Sequence, residues 1–356
     1  MLIEPGDLKF HTVWLALTYN CNNKCVWCYA DSDQIKNRTK NMDADLAEKS
    51  IKLVKELGVH DVILIGGEPT CYNLERVIRD VKSNGMRAVL VTNGRRLSSM
   101  QYVNRLKDCG LDAVAISIEG CDAEQHETAT KIKGSFDEAI RGLENCVSAG
   151  IKTTTETTVS TLNYRTVHKI LDFLIDKGVK EPVFNICTAM TPDRREYAVS
   201  PLDAAKVVES LYEHGKSKGR DVIFLTPLPF CNFSNRAIAE EMLSKGVLNP
   251  SCYMFFGTNF VIDYNGDILP CVHFTGKPFF NLVKEQAFDA GTFLKKYTAA
   301  EGVSEKFRDQ LWAYPSEKCI DDPLFGKCLG GCPIFWFSYD PKEQINGIES
   351  YAVRGV

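Results

Sequence analysis

Several features are missing from this chain of 356 residues. No stretch approaches the roughly 18 apolar residues that a membrane-spanning helix needs. The opening MLIEPGDLKFHTVW has no basic segment running into an apolar one, so it does not read as a secretory signal. There is no basic excess: the formal net charge is −4, which removes the electrostatic footprint of a nucleic-acid-binding surface. Low-complexity runs and internal repeats longer than one βα unit are also absent. These absences exclude membrane, secreted and nucleic-acid-binding classes and point to a cytoplasmic globular enzyme. The 44% hydrophobic and 25% charged content fits that class.

What is abundant is cysteine, with 14 residues. Without a secretory signal, metal binding explains them better than disulfides. Cys71, Cys109, Cys121, Cys146 and Cys187 are scattered singly, as small buried hydrophobes are. Cys21, Cys25 and Cys28 stand at C-x3-C-x2-C spacing, with no fourth cysteine nearby until Cys71. Three thiolates can hold one corner of an iron–sulfur cluster and leave one iron open, since closed clusters take four. A zinc site completed by a distant ligand remains an alternative at this point.

Between residues 12 and 226 short β-branched runs alternate with amphipathic stretches. Strands are expected at 12–18, 61–65, 87–92, 113–118, 151–159, 182–187 and 221–226, and helices at 43–57, 73–84, 98–109, 135–149, 163–177 and 201–218. Asp43 is the expected N-cap of the first helix and Gly58 its C′ residue. Six βα units imply a parallel sheet, either doubly wound or a closed or partly closed barrel. Function then belongs at the carboxyl ends of the strands. There the sequence places CNNKCVWC, Gly66-Gly67-Glu68-Pro69, Asn93-Gly94 and Glu119-Gly120.

CNNKCVWCYA resembles the signature of radical S-adenosylmethionine (radical SAM) enzymes, with Trp27 as the aromatic residue before the third cysteine. GGEP at 66–69, VTNG at 91–94 and SIEG at 117–120 resemble further motifs of that family, in the same order. The resemblance implies an α/β fold with a partial (β/α)6 TIM-like barrel over residues 1–226. It also implies a [4Fe–4S] cluster on Cys21, Cys25 and Cys28, with SAM chelating the fourth iron. Trp27, Gly66, Gly67, Glu68, Pro69, Thr92, Asn93, Ser117 and Glu119 would contact SAM. One-electron cleavage of SAM would give a 5′-deoxyadenosyl radical that takes a hydrogen atom from the substrate. A flavodoxin or ferredoxin would supply the electron. The sequence departs from the family where HETATKIKGSF puts Thr130, followed by Lys131, in place of an Arg that reaches the SAM carboxylate.

Residues 227–356 resemble a C-terminal SPASM/twitch-like domain with one or two auxiliary iron–sulfur clusters. Cys252, Gly266 and Cys271 match its opening; Cys319, Cys328 and Cys332 match its close, with Asp322 at a position usually held by cysteine. By the family's wiring Cys252, Cys271 and Cys332 share one cluster, which Cys231 would complete. Cys319, Cys328 and Asp322 serve another, whose last cysteine is missing. His273 reads as a structural histidine or a proton donor. The aromatics of this region, Phe255 and Phe256 among them, read mainly as core packing. The resemblance implies a peptide or protein substrate, modified by oxidation or crosslinking. The alternative is a small molecule of the aminoglycoside or haem pathways. With the triad starting at Cys21, no peptide-binding module is expected ahead of the barrel.

Overall fold

In the computed structural model the described residues are 8–30, 39–190, 195–253, 257–298, 319 and 328–344. They form two compact units, each assembled from several chain segments. The first takes in the chain up to Ser117, Thr130–Thr153 and Phe256–Phe307; the second comprises Ile118–Ala129, Thr154–Phe255 and Arg308–Val356.

In the first unit, β1 (Thr12–Ala16), β2 (Asp61–Ile65), β3 (Arg87–Thr92) and β4 (Ala113–Ser117) are parallel neighbours in that order. The crossovers are α1 (Ala44–Glu56), α2 (Leu74–Ser83) and α3 (Met100–Asp108). Helix α1 starts as expected, with the Asp43 side chain accepting from the Asp45 amide. It ends before Gly58, whose φ of +78° suits the left-handed C′ position. Leu53, Leu64, Leu90 and Ile116 are fully buried, so the strand face away from the half-exposed Trp14, Ile63 and Val91 packs under the helices.

The chain then forms α4 (Ala123–Thr130), absent from the sequence reading because its residues carry no apolar stripe, and α5 (Ser135–Ser148). In the second unit β5 (Lys152–Val159), β6 (Val183–Ile186) and β7 (Ile223–Phe224) run parallel, joined by α6 (Val167–Asp176) and α7 (Pro201–Ser217). Helix α8 (Arg236–Ser244) follows. Three short strands come next, and all belong to the first unit. β8 (Val261–Ile262) pairs parallel with β1 on the side away from β2; β9 (Asp267–Leu269) and β10 (Phe280–Asn281) continue antiparallel. The fold class is therefore the expected one, mixed α/β with parallel strands and helical crossovers, consistent with a partial TIM barrel.

Aromatics after residue 227 are largely core, as expected: Phe230, Phe260, Phe274, Phe293, Phe335 and Trp336 are buried. Phe255 and Phe256 lie outside the described residues. No helix among the described residues is long and apolar enough to cross a membrane.

Candidate functional site

The site grows from the way the ends of β1 and β2 are stitched together. Beyond the strands, Leu17 N–H donates to Ile65 O (3.0 Å), Gly67 N–H to Thr18 O (2.6 Å) and Glu68 N–H to Asn20 O (2.8 Å). A Cβ on Gly66 would lie 2.2 Å from Thr18 O, and one on Gly67 2.7 Å from Asn20 O. Gly66 also has φ +143°, which L side chains avoid. Only two glycines let this segment lie flat against the backbone leading into Cys21. At the far end of the cysteine loop, Tyr29 Oη donates to Gly66 O at 2.9 Å.

Glu68 is 1% exposed, and its carboxylate is heavily engaged. Oε1 accepts from the Thr70 amide (3.0 Å), the Thr70 hydroxyl (2.6 Å) and the Thr92 hydroxyl (2.6 Å); Oε2 accepts from the Asn93 amide (2.9 Å). The carboxylate thus ties the end of β2 to the end of β3. Pro69 opens a short 3-10 turn, Pro69–Cys71. Asn93 carries the link onward: its Nδ2 donates to Asn22 Oδ1 (2.7 Å) and points at Cys21 Sγ (3.9 Å).

Cys21 Sγ also receives the Asn23 amide at 3.3 Å. Burial, then the Glu68 carboxylate, pushes the Cys21 thiol up to about 12 in the metal-free protein, while the Asn23 amide pulls the other way. A coordinated metal reverses that balance by deprotonating the thiol outright. Arg95 braces the loop, donating from Nη1 to Asn22 O and Asn23 Oδ1 while pairing with Glu138. Sequence reasoning missed Arg95, Asn23 and Tyr29; the available signal was their placement against motif residues.

Cys25, Trp27 and Cys28 are half-buried in the loop, and the Cys28 amide donates to Cys25 O at 3.2 Å. Cys28 and Tyr29 pack on a cluster of Ala16, Tyr19, Ala30, Ile65, Val261 and Leu269, which Val272 also touches. This brings the segment around Cys271 into the same unit. His273 Nδ1 lies 3.5 Å from Cys271 Sγ, and its ring sits 5.9 Å from the Tyr29 ring, tilted by 49°. Burial raises the Cys271 thiol, and the backbone amides of His273 and Val272 oppose the rise. Ser117 is half-exposed at the end of β4. Lys131 is exposed with φ 57°, and Thr130 turns its hydroxyl to Ser135 at 2.8 Å.

In the second unit, buried Glu119 accepts the Thr158 amide at 2.9 Å, and its own amide donates to His126 Nδ1 at 3.1 Å. Burial pushes the Glu119 carboxyl up to about 8, with Glu156 adding to the rise against the Thr158 amide. Glu156 is itself pushed up to about 7 by burial. Burial also pushes the Cys231 thiol up to about 12, and next in weight come the charges of Cys328 and then Cys319. Cys231 therefore lies within electrostatic reach of both. The chain near them is docked: the Cys332 amide donates to Pro227 O at 2.9 Å, and a Cβ on Gly331 would lie 2.7 Å from Pro229 Cδ. Cys252 is half-buried, and Asp322 lies outside the described residues.

Among the described residues no three His, Cys, Asp or Glu side chains are grouped to hold a single metal ion. The donor chemistry of the first unit nevertheless suits a cluster that spreads three thiolates over three irons. Three half-buried cysteines sit on one braced loop, and N–H groups face Cys21.

Residues 15–174 match the family model of the Radical SAM superfamily. The AdoMet-dependent heme synthase of Methanosarcina barkeri (strain Fusaro / DSM 804) is 30% identical over 269 residues, covering 72% of this chain and 74% of that protein. The Fe-coproporphyrin III synthase of the same organism is 33% identical over 179 residues, 50% of this chain; the chain spans 44% of that relative's length. Among solved structures, native anSMEcpe with bound AdoMet and Kp18Cys peptide superposes with a TM-score of 0.68 at 18% identity. That match covers 91% of this chain and 89% of the other, a likeness of fold.

Proposed function

The chain belongs to the radical SAM superfamily, whose cofactors are a [4Fe–4S] cluster and SAM, and on that premise we propose that Cys21, Cys25 and Cys28 are the thiolate ligands of that cluster. When bound, cluster and SAM supply a one-electron reductive cleavage and with it a hydrogen-abstracting radical. The chain's own residues hold the geometry. Asn23 and Asn93 offer N–H groups to the Cys21 sulfur, as an anionic ligand requires. With the Glu68 carboxylate engaged by Thr70, Thr92 and Asn93, contacts to the methionine part of SAM fall to the backbone of residues 66–69. Trp27, Thr92, Asn93 and Ser117 are the remaining SAM contacts we propose in this unit. Glu119, the further SAM contact implied by the resemblance, lies in the second unit.

For the substrate we propose oxidative tailoring of a carboxylate-bearing iron porphyrin. The supporting observation is the heme-synthase relative, whose 269-residue alignment is longer than the 160 residues, 15 to 174, of the family match. A peptide or protein substrate is the second reading, supported by the shared fold with the peptide-bound anSMEcpe structure. In either case a flavodoxin or ferredoxin is the proposed electron donor. Residues 227–356 are proposed as the source of auxiliary iron–sulfur ligands: Cys271 in the first unit and Cys231, Cys319 and Cys328 in the second. Cys252 and Cys332, also in the second unit, belong to the same proposed set.

The test is anaerobic reconstitution, reduction with dithionite and measurement of 5′-deoxyadenosine. Release stimulated by Fe-coproporphyrin III supports the porphyrin reading, and stimulation only by Cys- or Ser-containing peptides supports the second. A reconstituted protein that never releases 5′-deoxyadenosine would sink both.

A further inference from the structure

A cluster that works by one-electron reduction takes its electron from outside the chain, so the charge around the triad loop bears on what can approach it. In residues 21–30 Lys24 is the only charged side chain, and it directly precedes Cys25. Its amide donates to Thr130 O at 3.0 Å, which ties the cysteine loop to the segment Thr130-Lys131-Ile132-Lys133-Gly134 in the same unit. Together the two segments carry three lysines and no acid, a formal charge of +3 on a chain whose net charge is −4. Lys24, Lys131 and Lys133 are all exposed, and none has an ion pair among the described residues. The turn that presents the last two is anchored, since buried Thr130 shares a hydrogen bond with Ser135 at 2.8 Å. Lys131 stands in left-handed backbone, φ 57°, which glycine adopts freely and lysine only at a cost. The next acids along the chain, Asp137 and Glu138, lie in the first turn of α5, and Glu138 is paired with Arg95.

Resting on the reading that Cys21, Cys25 and Cys28 hold the [4Fe–4S] cluster, we propose that Lys24, Lys131 and Lys133 form the docking face for an acidic one-electron carrier protein of the flavodoxin type. An acidic carrier is attracted to this positive island and repelled by a chain that is negative overall, so the field steers it toward Cys25 during encounter. Lysine suits such a face. Its ammonium is a mobile point charge without the fixed fork of arginine, and complexes that pass electrons are small and short-lived. One electron passes from the reduced flavin of the carrier to the cluster, with no bond made or broken in this chain. Exposed Lys131 thereby has a task other than reaching the SAM carboxylate.

The experiment uses the full chain, reconstituted anaerobically, with a flavodoxin as the probe. Biolayer interferometry measures its binding, and 5′-deoxyadenosine release from SAM is followed with dithionite and, separately, with the flavodoxin hydroquinone. The variant carries Lys24→Gln, Lys131→Gln and Lys133→Gln together. The expected result is a rise of about tenfold in Kd and in the KM for flavodoxin, with wild-type iron content and an unchanged dithionite rate. Raising the ionic strength from about 0.01 M to about 0.15 M shortens the screening length from about 30 Å to about 8 Å. That change should weaken flavodoxin binding to the parent chain and move the variant much less. If the triple variant loses iron, the pair Lys131→Gln and Lys133→Gln, outside the cysteine loop, makes the same comparison with a smaller shift; iron loss in the pair as well overturns the proposal. An unchanged Kd in a variant that holds iron overturns it, as does a parent chain that binds no flavodoxin or binds it without regard to salt. A dithionite rate that falls as far as the flavodoxin-driven rate also overturns it. A parent chain that releases no 5′-deoxyadenosine even with dithionite overturns the cluster reading, and this proposal with it, whatever the binding shows.

Discussion

Glu68 Oε2 accepts the Asn93 amide at 2.9 Å, and through this bond the end of β2 holds the end of β3 while Asn93 reaches on to Asn22 and Cys21. The carboxylate is buried and accepts from four groups, so it organises the strand ends from behind the cysteine loop.

Glu68→Gln therefore removes the charge from a buried hub and turns one acceptor into a donor that faces other donors. A loss of roughly 1–3 kcal/mol is expected for such an unsatisfied buried group. Thermal unfolding of the variant beside the parent protein measures it, and an unchanged melting temperature would contradict the hub role.

Gly66→Ala meets both a backbone oxygen 2.2 Å from the new Cβ and an unfavourable φ of +143°. Gly58→Ala, at φ +78°, meets nothing within 4 Å. The second change should cost about 1 kcal/mol, as left-handed alanine does, and the first distinctly more. Iron retention after reconstitution should fall for Gly66→Ala and hold for Gly58→Ala; equal behaviour of the two would argue against the close backbone approach.

Replacing Arg95 by Lys keeps a charge but loses the fork that spans Asn22, Asn23 and Glu138. The triad should still take up iron, and 5′-deoxyadenosine release should slow by roughly tenfold, about 1.4 kcal/mol on the barrier. Single-turnover assays under dithionite read this directly, and wild-type rates would remove Arg95 from the machinery.

Glu156 has its carboxyl pushed up to about 7 by burial, from an ordinary value of 4.5. A raised carboxyl binds its proton more tightly in the folded state. The stability it contributes is complete below about 4.5 and is lost as pH rises through about 7. Glu156→Gln should therefore be more stable than the parent at pH 8, by on the order of 1–2 kcal/mol, with little difference at pH 4.5. Denaturant titrations at the two pH values check the sign, and a gap that widens toward acid would contradict it.

Much of the first unit was legible in the sequence. Long strands with β-branched runs and helices with a continuous apolar stripe announce themselves, as in β3 and α1, because each element's pattern follows from its own periodicity. Strand β8 did not, since two residues, Val261 and Ile262, carry no period at all. Its place beside β1 is set by backbone pairing with Trp14 and Leu15. Helix α4 was missed for a related reason: Ala123–Thr130 has no apolar face to betray it.

The sequence by itself determined which chemistry is available. Three thiols at C-x3-C-x2-C and a Gly-Gly-Glu at the next strand end are local patterns, readable without a fold. What only the tertiary structure decided is what each motif residue touches. Glu68 faces Thr70, Thr92 and Asn93; Gly66 and Gly67 make room for Thr18 and Asn20; His273 turns toward Cys271 and Tyr29. These partners lie up to 244 residues apart in the chain, as 29 and 273 do. Spacing within a motif is a local property of the sequence, whereas such contacts arise only when separate strand ends are packed side by side.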